Sequence, residues 1–163
     1  MLSKETKKLI FGLGNPILSD DGVGIEVVKR LKIIMKNRKD IDFDTGSISG
    51  FRILDVIKGY DDVVFVDVIP GDKPGSIHSF DIEDLKFSYH LTSPHSINLY
   101  SAVKFGRKIN MDMPSRVKIY AMEVKNLNEF GEKFSPEVER KIKDFIDFII
   151  KQESGGSYGY KFG

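Results

Sequence analysis

The side chains best suited to chemistry in this sequence are acids and one histidine that follow short apolar segments. Asp20 and Asp21 follow the first such segment, Asp44 follows the second, and Asp67 lies within the third. His95 lies in a short stretch of turn-forming residues, TSPHS. A carboxylate within an apolar strand must be hydrogen-bonded, protonated or bound to a cation. Asp67 is therefore the most informative of these residues.

Two carboxylates and one imidazole would form an oxygen, oxygen and nitrogen ligand set for a divalent metal. Such a set leaves coordination positions open and suits a borderline metal such as nickel or zinc. We assign Asp21, Asp67 and His95 to this set. The sequence contains no cysteine, which excludes thiolate ligands, disulfide bonds and a cysteine nucleophile.

Each candidate also has an ordinary structural interpretation. Acids in the first turn of a helix stabilise it by roughly 0.3 to 1 kcal/mol, so Asp20 and Asp21 could be capping residues. A single loop histidine such as His95 could be a surface residue. We assign His78, which alternates within a predicted strand, and His90, which adjoins a tyrosine in a loop, to this structural class.

The segment GLGN at residues 12–15 invites comparison with a nucleotide-binding loop. The third glycine of a dinucleotide-binding motif should stand at position 17, which is isoleucine. The negative charges of Asp20 and Asp21 would also repel a pyrophosphate near the start of the following helix. The sequence therefore argues against nucleotide binding.

The elements that must position these side chains alternate between strands and helices. Short apolar or alternating runs predict strands, and apolar residues at spacings of three and four predict helices. The predicted strands are 8–13, 41–44, 62–69, 77–82 and 116–124, and the predicted helices are 23–35, 50–60, 97–108 and a final one. That final helix should start at Ser135-Pro136, because Ser caps exposed amides and Pro fits the first helical position.

This alternation predicts an α/β fold, a single three-layer α/β/α domain with a mostly parallel central sheet. Parallel strands require crossovers, and the crossovers place helices on both faces. The strand at 62–69 is nearly all apolar and should lie in the middle of the sheet. Ligands of such domains bind beyond the carboxyl ends of the strands. We therefore expect the candidate side chains to converge at that edge.

Length and composition set the limits of the molecule. The 163 residues suffice for one domain, which we assign to residues 1–151, and residues 152–163 predict a mobile tail. The 25 Lys and Arg are interspersed with 24 Asp and Glu, a pattern that does not indicate a nucleic-acid partner. No apolar run is long enough for a membrane span, and no signal-peptide pattern is present. We expect a cytoplasmic protein.

Four motifs in order resemble those of the hydrogenase maturation endopeptidases. GLGNPILSDDGVG (12–24) resembles the family's Gly-x-Gly-Asn segment with its acidic pair, and DTGSISG (44–50) resembles its Asp-x-Gly-(Thr/Ser)-x-x-Gly segment. VVFVDVI resembles its acid-bearing strand and SPHS its histidine loop. The resemblance covers about residues 8–150. It departs at YAMEVKN, where many members have Gly-x-Gln-Pro, so Glu123 could shape the pocket or only end a strand.

The resemblance implies a protease that removes a short C-terminal extension from the precursor of a nickel-iron hydrogenase large subunit after nickel insertion. Asp21, Asp67 and His95 would contact nickel supplied by the substrate, and other divalent cations could occupy the site. The residues expected to shape the loop or line the path of the substrate are Asn15, Asp20, Asp44 and Gly46. The precursor would be the partner, and we expect the enzyme to be a monomer.

The chemistry and one further function stay open at this point. The cation would polarise the scissile carbonyl or lower the pKa of a water, or an acid would act as general base instead. The alternative to a protease is a metal-sensing chaperone that holds the hydrogenase precursor without cutting it.

Overall fold

The computed structural model describes residues 6–87, 96–125 and 127–155. The strands of its central sheet are β1 (Lys8–Leu13), β2 (Ile41–Gly46), β3 (Asp62–Pro70), β4 (Ile77–Asp81) and β5 (Arg116–Val124). They lie in the order β2-β1-β3-β5-β4. The first three and β5 pair in parallel, and β4 pairs antiparallel with β5. The mostly parallel sheet with the third strand in the middle is confirmed.

Helices cover both faces of this sheet. They are α1 (Val23–Ile34), α2 (Arg52–Ile57), α3 (Ser96–Lys108), α4 (Pro136–Glu139) and α5 (Ile142–Glu153), and two 3-10 helices occupy Ser19–Gly22 and Ile82–Phe87. One core packs α1, α4 and α5 against the sheet, and a second core packs α2 and α3 against the other face. The three-layer α/β/α architecture is confirmed. Within the described ranges, no helix has the length and apolar character needed to span a membrane.

The middle strands are apolar because both of their faces are covered. In β3, Val64 and Val66 belong to the core beneath α1 and α5, and Val63 and Phe65 belong to the core beneath α2 and α3. This alternation is the two-residue period of a strand, and burial on both sides explains why the sequence shows a continuous apolar run.

The final helix is interrupted, which differs from the continuous helix expected from Ser135 onward. The N–H of Lys141 donates to the carbonyl of Val138, 2.9 Å away. That bond spans three residues instead of four, so the chain tightens for one turn between α4 and α5. Val138, Ile142 and Phe145 still enter one core, so the expected apolar face is preserved. The tail expected at 152–163 lies mainly outside the described residues, and α5 continues to Glu153.

A buried ionic cluster lies at the amino ends of the parallel strands. The carboxylate of Glu153, at the end of α5, accepts hydrogen bonds from Lys8 of β1 and Tyr120 of β5. Arg116 contacts Glu153 and donates to Asp62 at 2.8 Å. Burial alone would raise the pKa of Glu153, but the bonds from Lys8 and Tyr120 outweigh it and hold that pKa below its ordinary value. The cluster fastens the last helix to three strands.

Candidate active site

Asp67 lies near the carboxyl end of β3 and is almost completely buried, with 1% of its surface exposed. Alternation along the strand directs its side chain to the face covered by α2 and α3, which it shares with Phe65 and Ile69. One carboxylate oxygen accepts a hydrogen bond from the N–H of Val68 at 2.8 Å. This backbone bond contributes to the hydrogen bonding that a carboxylate in an apolar strand requires.

Asp21 lies in the 3-10 helix that follows β1 and is 4% exposed. Its Oδ2 accepts a hydrogen bond from the N–H of Asn15 at 3.0 Å. The 3-10 helix packs against β3, the strand that carries Asp67. Both buried acids therefore lie at the carboxyl ends of two neighbouring parallel strands, β1 and β3.

Two glycines allow the loop of Asp21 to approach the sheet this closely. A Cβ at Gly14 would lie 2.1 Å from the carbonyl oxygen of Asp21. A Cβ at Gly24 would lie 2.3 Å from the carbonyl oxygen of Val66 and 2.4 Å from that of Leu13. Any side chain at either position would push the loop or α1 away from the strand ends.

Asp20 is buried in the first turn of the 3-10 helix, but its side chain makes no capping hydrogen bond. Neither the 3-10 helix nor α1 has a side-chain hydrogen bond at its cap. Instead, the carboxylate of Asp20 accepts bonds from the N–H of Ser135 at 2.7 Å and from its hydroxyl at 2.9 Å. Ser135 does precede α4, but its hydroxyl serves Asp20 and not its own helix. No local sequence signal relates these two residues.

Further bonds join the same two segments of chain. Ser19 donates from its N–H to the carbonyl of Gly131 at 2.7 Å and from its hydroxyl to the carbonyl of Lys133 at 2.8 Å. Gly131 in turn donates to the carbonyl of Ile17 at 3.0 Å. The loop that holds Asp21 is thereby attached to the connection between β5 and α4.

The remaining predicted residues lie at the same edge of the sheet. Asn15 directs its loop by accepting the N–H of Ile17 on Oδ1 at 3.2 Å. Gly46 ends β2 beside Leu13 of β1. Asp44, near the end of β2, is exposed, and its Oδ1 accepts the N–H of Thr45 at 2.8 Å.

The imidazole assigned to the site, His95, and the second loop histidine, His90, lie outside the described residues. The next residue after His95, Ser96, begins α3, the helix that covers the face of Asp67. Within the part of the chain that the structure describes, no three His, Cys, Asp or Glu are grouped so as to hold a metal ion.

His78 and Glu123 form a pair that the sequence did not predict. His78 Nε2 lies 3.0 Å from Glu123 Oε2, and Glu123 Oε1 accepts the N–H of Lys73 at 2.7 Å. The bond from Lys73 lowers the pKa of Glu123, and His78 adds to this effect. Glu123 therefore holds the turn between β3 and β4, and His78 has the structural role expected of it.

Comparison with known families identifies one match. The sequence model described as "Hydrogenase maturation protease" matches residues 25–152. The match includes Asp67 and the position of His95, and it begins four residues after Asp21.

Two relatives match most of the chain. It is 22% identical over 151 residues to the "Hydrogenase expression/formation protein HupD" of Thiocapsa roseopersicina, a match that spans 88% of this chain and 66% of HupD. It is 26% identical over 137 residues to the "Protein FrxA" of Pyrococcus furiosus, with 82% of this chain and 95% of FrxA covered.

Solved structures share the fold. The hydrogenase maturating endopeptidase HybD from E. coli superposes with a TM-score of 0.75 at 21% identity, over 92% of this chain and 94% of HybD. The [NiFe] hydrogenase maturation protease HybD from Thermococcus kodakarensis gives a TM-score of 0.70 at 21% identity, over 90% and 99%. These similarities establish the α/β architecture independently of the sequence patterns.

Proposed function

Since the chain belongs to the hydrogenase maturation protease family, we propose that it removes a C-terminal extension from the precursor of a nickel-iron hydrogenase large subunit after nickel insertion. The nickel would arrive with the substrate. The reaction would take place in the cytoplasm, with a single-domain monomer acting on the precursor.

The observation that carries this proposal is the pair of buried carboxylates at neighbouring strand ends. Asp21 and Asp67 are both almost inaccessible to solvent, in a fold whose ligands bind beyond the carboxyl ends of parallel strands. Burial of a carboxylate is costly unless it is compensated, and two such acids at neighbouring strand ends support a role for the pair in binding a cation.

In this proposal, Asp21, Asp67 and His95 contact the nickel of the substrate. Carboxylate oxygen and imidazole nitrogen are donors that a borderline divalent metal accepts. The cation would polarise the scissile carbonyl or lower the pKa of a water, and an acid acting as general base is the other route. The N–H groups of Asn15 and Val68 each hold one carboxylate oxygen and so orient the two acids.

The surrounding residues receive supporting roles. Asp20 shapes the loop of Asp21 through Ser135, and Asn15 fixes the turn at its start. Asp44 and Gly46 line the rim along which the extended substrate would lie.

Processing of a nickel-loaded large-subunit precursor from the same source tests the proposal. Mass spectrometry should show loss of a C-terminal peptide with the wild type and a loss of rate of roughly 100-fold or more in Asp21→Asn, Asp67→Asn and His95→Ala. A nickel-free precursor should stay intact.

The matched control is Asp147→Asn, which makes the same chemical change on the exposed surface of α5, where Asp147 pairs with Lys143. It should process the precursor at the wild-type rate. An intact precursor that co-purifies with the wild-type protein would contradict the protease and support the metal-sensing chaperone.

A further inference from the structure

The outer edge of β2 presents backbone hydrogen-bonding groups that are not used within the sheet. The N–H of Lys8 donates to the carbonyl of Asp40, and Lys8 pairs with Ile41. In a parallel ladder this register turns the polar groups of alternate residues toward the neighbour. The backbone N–H and C=O groups of Asp42 and Asp44 therefore face β1. The backbone groups of Ile41, Phe43 and Thr45 face outward.

No other backbone segment among the described residues pairs with this edge. β2 is the first strand in the sheet order, and the backbone bonds outside the ladders include none from Ile41, Phe43 or Thr45. The N–H of Thr45 is bound only locally, by the side chain of Asp44 at 2.8 Å. An open edge of this kind can receive an extended peptide as an additional strand.

A cleft of about 820 Å³ runs beside this edge and has a different charge on each side of the strand. Ile41 and Phe43 point to the α1 side, where Lys32 and Lys36 line the cleft. Asp42 and Asp44 alternate to the α2 side, where Asp55 also lines it. Asp42 is fixed there by the hydroxyl of Tyr60 at 2.7 Å.

This charge pattern indicates which kind of polypeptide could pair with the outer edge of β2. An added strand would alternate its side chains between a basic side and an acidic side, so it should carry acidic or apolar residues toward Lys32 and Lys36 and basic residues toward Asp42 and Asp44. A second copy of β2 paired antiparallel would place aspartates opposite aspartates, and like charges opposite one another destabilise a pair of strands. The edge therefore favours a different polypeptide over self-association.

The carboxyl end of β2 lies next to the candidate active site. Thr45 and Gly46, at the end of β2, lie beside Gly12 and Leu13, just before the loop of Asp21. A strand added outside β2 would be three strand spacings from β3, or about 14 Å from Asp67. An extended chain covers that distance in about four residues.

We propose that the outer edge of β2 binds an extended segment of the substrate protein as an additional strand, about four residues from the scissile bond. This proposal rests on the protease function proposed above. The paired segment would hold the substrate chain while its scissile bond lies over Asp21 and Asp67.

Phe43→Pro beside Phe43→Ala tests the pairing. Both variants lose the packing of the Phe43 ring against the core, but only proline removes the outward N–H, and neither alters a bond to β1. With the nickel-loaded precursor as substrate, we expect KM to rise roughly five- to tenfold more in Phe43→Pro than in Phe43→Ala, with similar kcat. Equal KM values in two folded variants would overturn the proposal.

Hydrogen exchange provides a second test that does not depend on the proline variant. When the Asp67→Asn protein is mixed with the precursor, the amides of Ile41 and Phe43 should become protected, whereas the amide of Thr45 already binds Asp44 in the free protein. Lys36→Glu, which changes the cleft just after α1, should weaken precursor binding, while Lys29→Glu, within α1 and outside the cleft, should not. Protection of these amides without precursor would assign the edge to another part of this chain or to a second copy.

The wild-type control separates the two proposals. If the wild type does not cleave the precursor, the protease function fails. If it cleaves the precursor while β2 amides exchange at an unchanged rate, the protease function stands and the pairing at β2 is wrong.

Discussion

Asp20 and Asp21 are neighbours in sequence, but different groups hold their carboxylates. Asp21 accepts the N–H of Asn15, within its own loop. Asp20 binds Ser135, 115 residues further along the chain. One acid is thus oriented for the site, and the other joins the loop of the site to the start of α4.

This difference predicts separate effects on stability. Asp20→Ala leaves the N–H and the hydroxyl of Ser135 without their acceptor and should cost about 2 kcal/mol in the free energy of unfolding, the value typical of hydrogen bonds to a charged group. Ser135→Ala, which removes only the hydroxyl, should cost about 1 kcal/mol. Urea unfolding of both variants and of the double variant measures this, because residues in one network should not be additive.

Additive losses in the double variant would show that the two side chains do not interact. Asp44→Ala, which makes the same change at an exposed acid of the same edge, should alter the unfolding free energy by less than about 0.5 kcal/mol.

The residues of the candidate site differ in how well sequence could identify them. Asp67 is predicted because a charge within an apolar strand is energetically costly, and that prediction needs no knowledge of other elements. The partnership of Asp20 with Ser135, and that of His78 with Glu123, spans 115 and 45 residues. Local spacing holds no information on such pairs, because they form only when separate loops meet in the folded chain.

At the scale of elements, the start of α1 lies against the backbone of the sheet. Gly24 is the contact point, with the carbonyl oxygens of Val66 and Leu13 where a side chain would begin. The helix therefore positions the loop of Asp21 by direct backbone contact with β1 and β3.

Gly24→Ala should displace α1 and lower both stability and processing. We expect a loss of roughly 1 to 3 kcal/mol in the free energy of unfolding, the usual range for overpacking, although alanine favours a helix. Thermal unfolding and precursor cleavage measure the two effects. Gly131→Ala, where a Cβ would meet no atom within 4 Å, is the control and should change neither quantity by much.

An unchanged melting temperature in Gly24→Ala would mean that α1 can move without cost, and that close contact does not position the loop.

Element types were predicted well because periodicity reports which face of an element is buried. The predicted strand at 116–124 and helix at 97–108 appear as β5 and as α3 from Ser96 to Lys108. The break between α4 and α5 was missed, since Val138 and Ile142 keep the helical spacing of apolar residues across it. A single tightened turn changes the backbone bond at Lys141 but leaves that pattern intact.

At the scale of the whole molecule, the two ends of the parallel strands have different roles. The candidate site lies at the carboxyl ends of the strands, and the ionic cluster around Glu153 lies at their amino ends. Both ends contain buried acids, and at the amino ends the acid Glu153 is paired with the cations Lys8 and Arg116.

The cluster makes stability depend on pH. Because the folded protein lowers the pKa of Glu153, this residue contributes stability that is complete above its unfolded value of about 4.5 and is lost as pH falls through the lower folded value. Glu153→Gln should therefore cost roughly 3 kcal/mol near neutral pH, as when one partner of a buried ion pair is removed, and less below about pH 4.

Chemical unfolding from pH 3 to pH 7 measures this difference. Glu137→Gln, on the exposed surface of α4, should follow the wild type throughout. A cost of Glu153→Gln that stays constant with pH would show that packing, and not charge, holds the end of α5.

The attachment of the Asp21 loop to residues 131–135 also bears on how the protein is made. A ribosome synthesises β1 and the 3-10 helix with its two acids early, but the groups that hold Asp20 and Ser19 in place appear more than 110 residues later. Glu153, the partner of Lys8, is likewise synthesised 145 residues after it. A nascent chain therefore carries Asp20 and Asp21 without the long-range bonds that fix their loop until residues 131–135 have been synthesised.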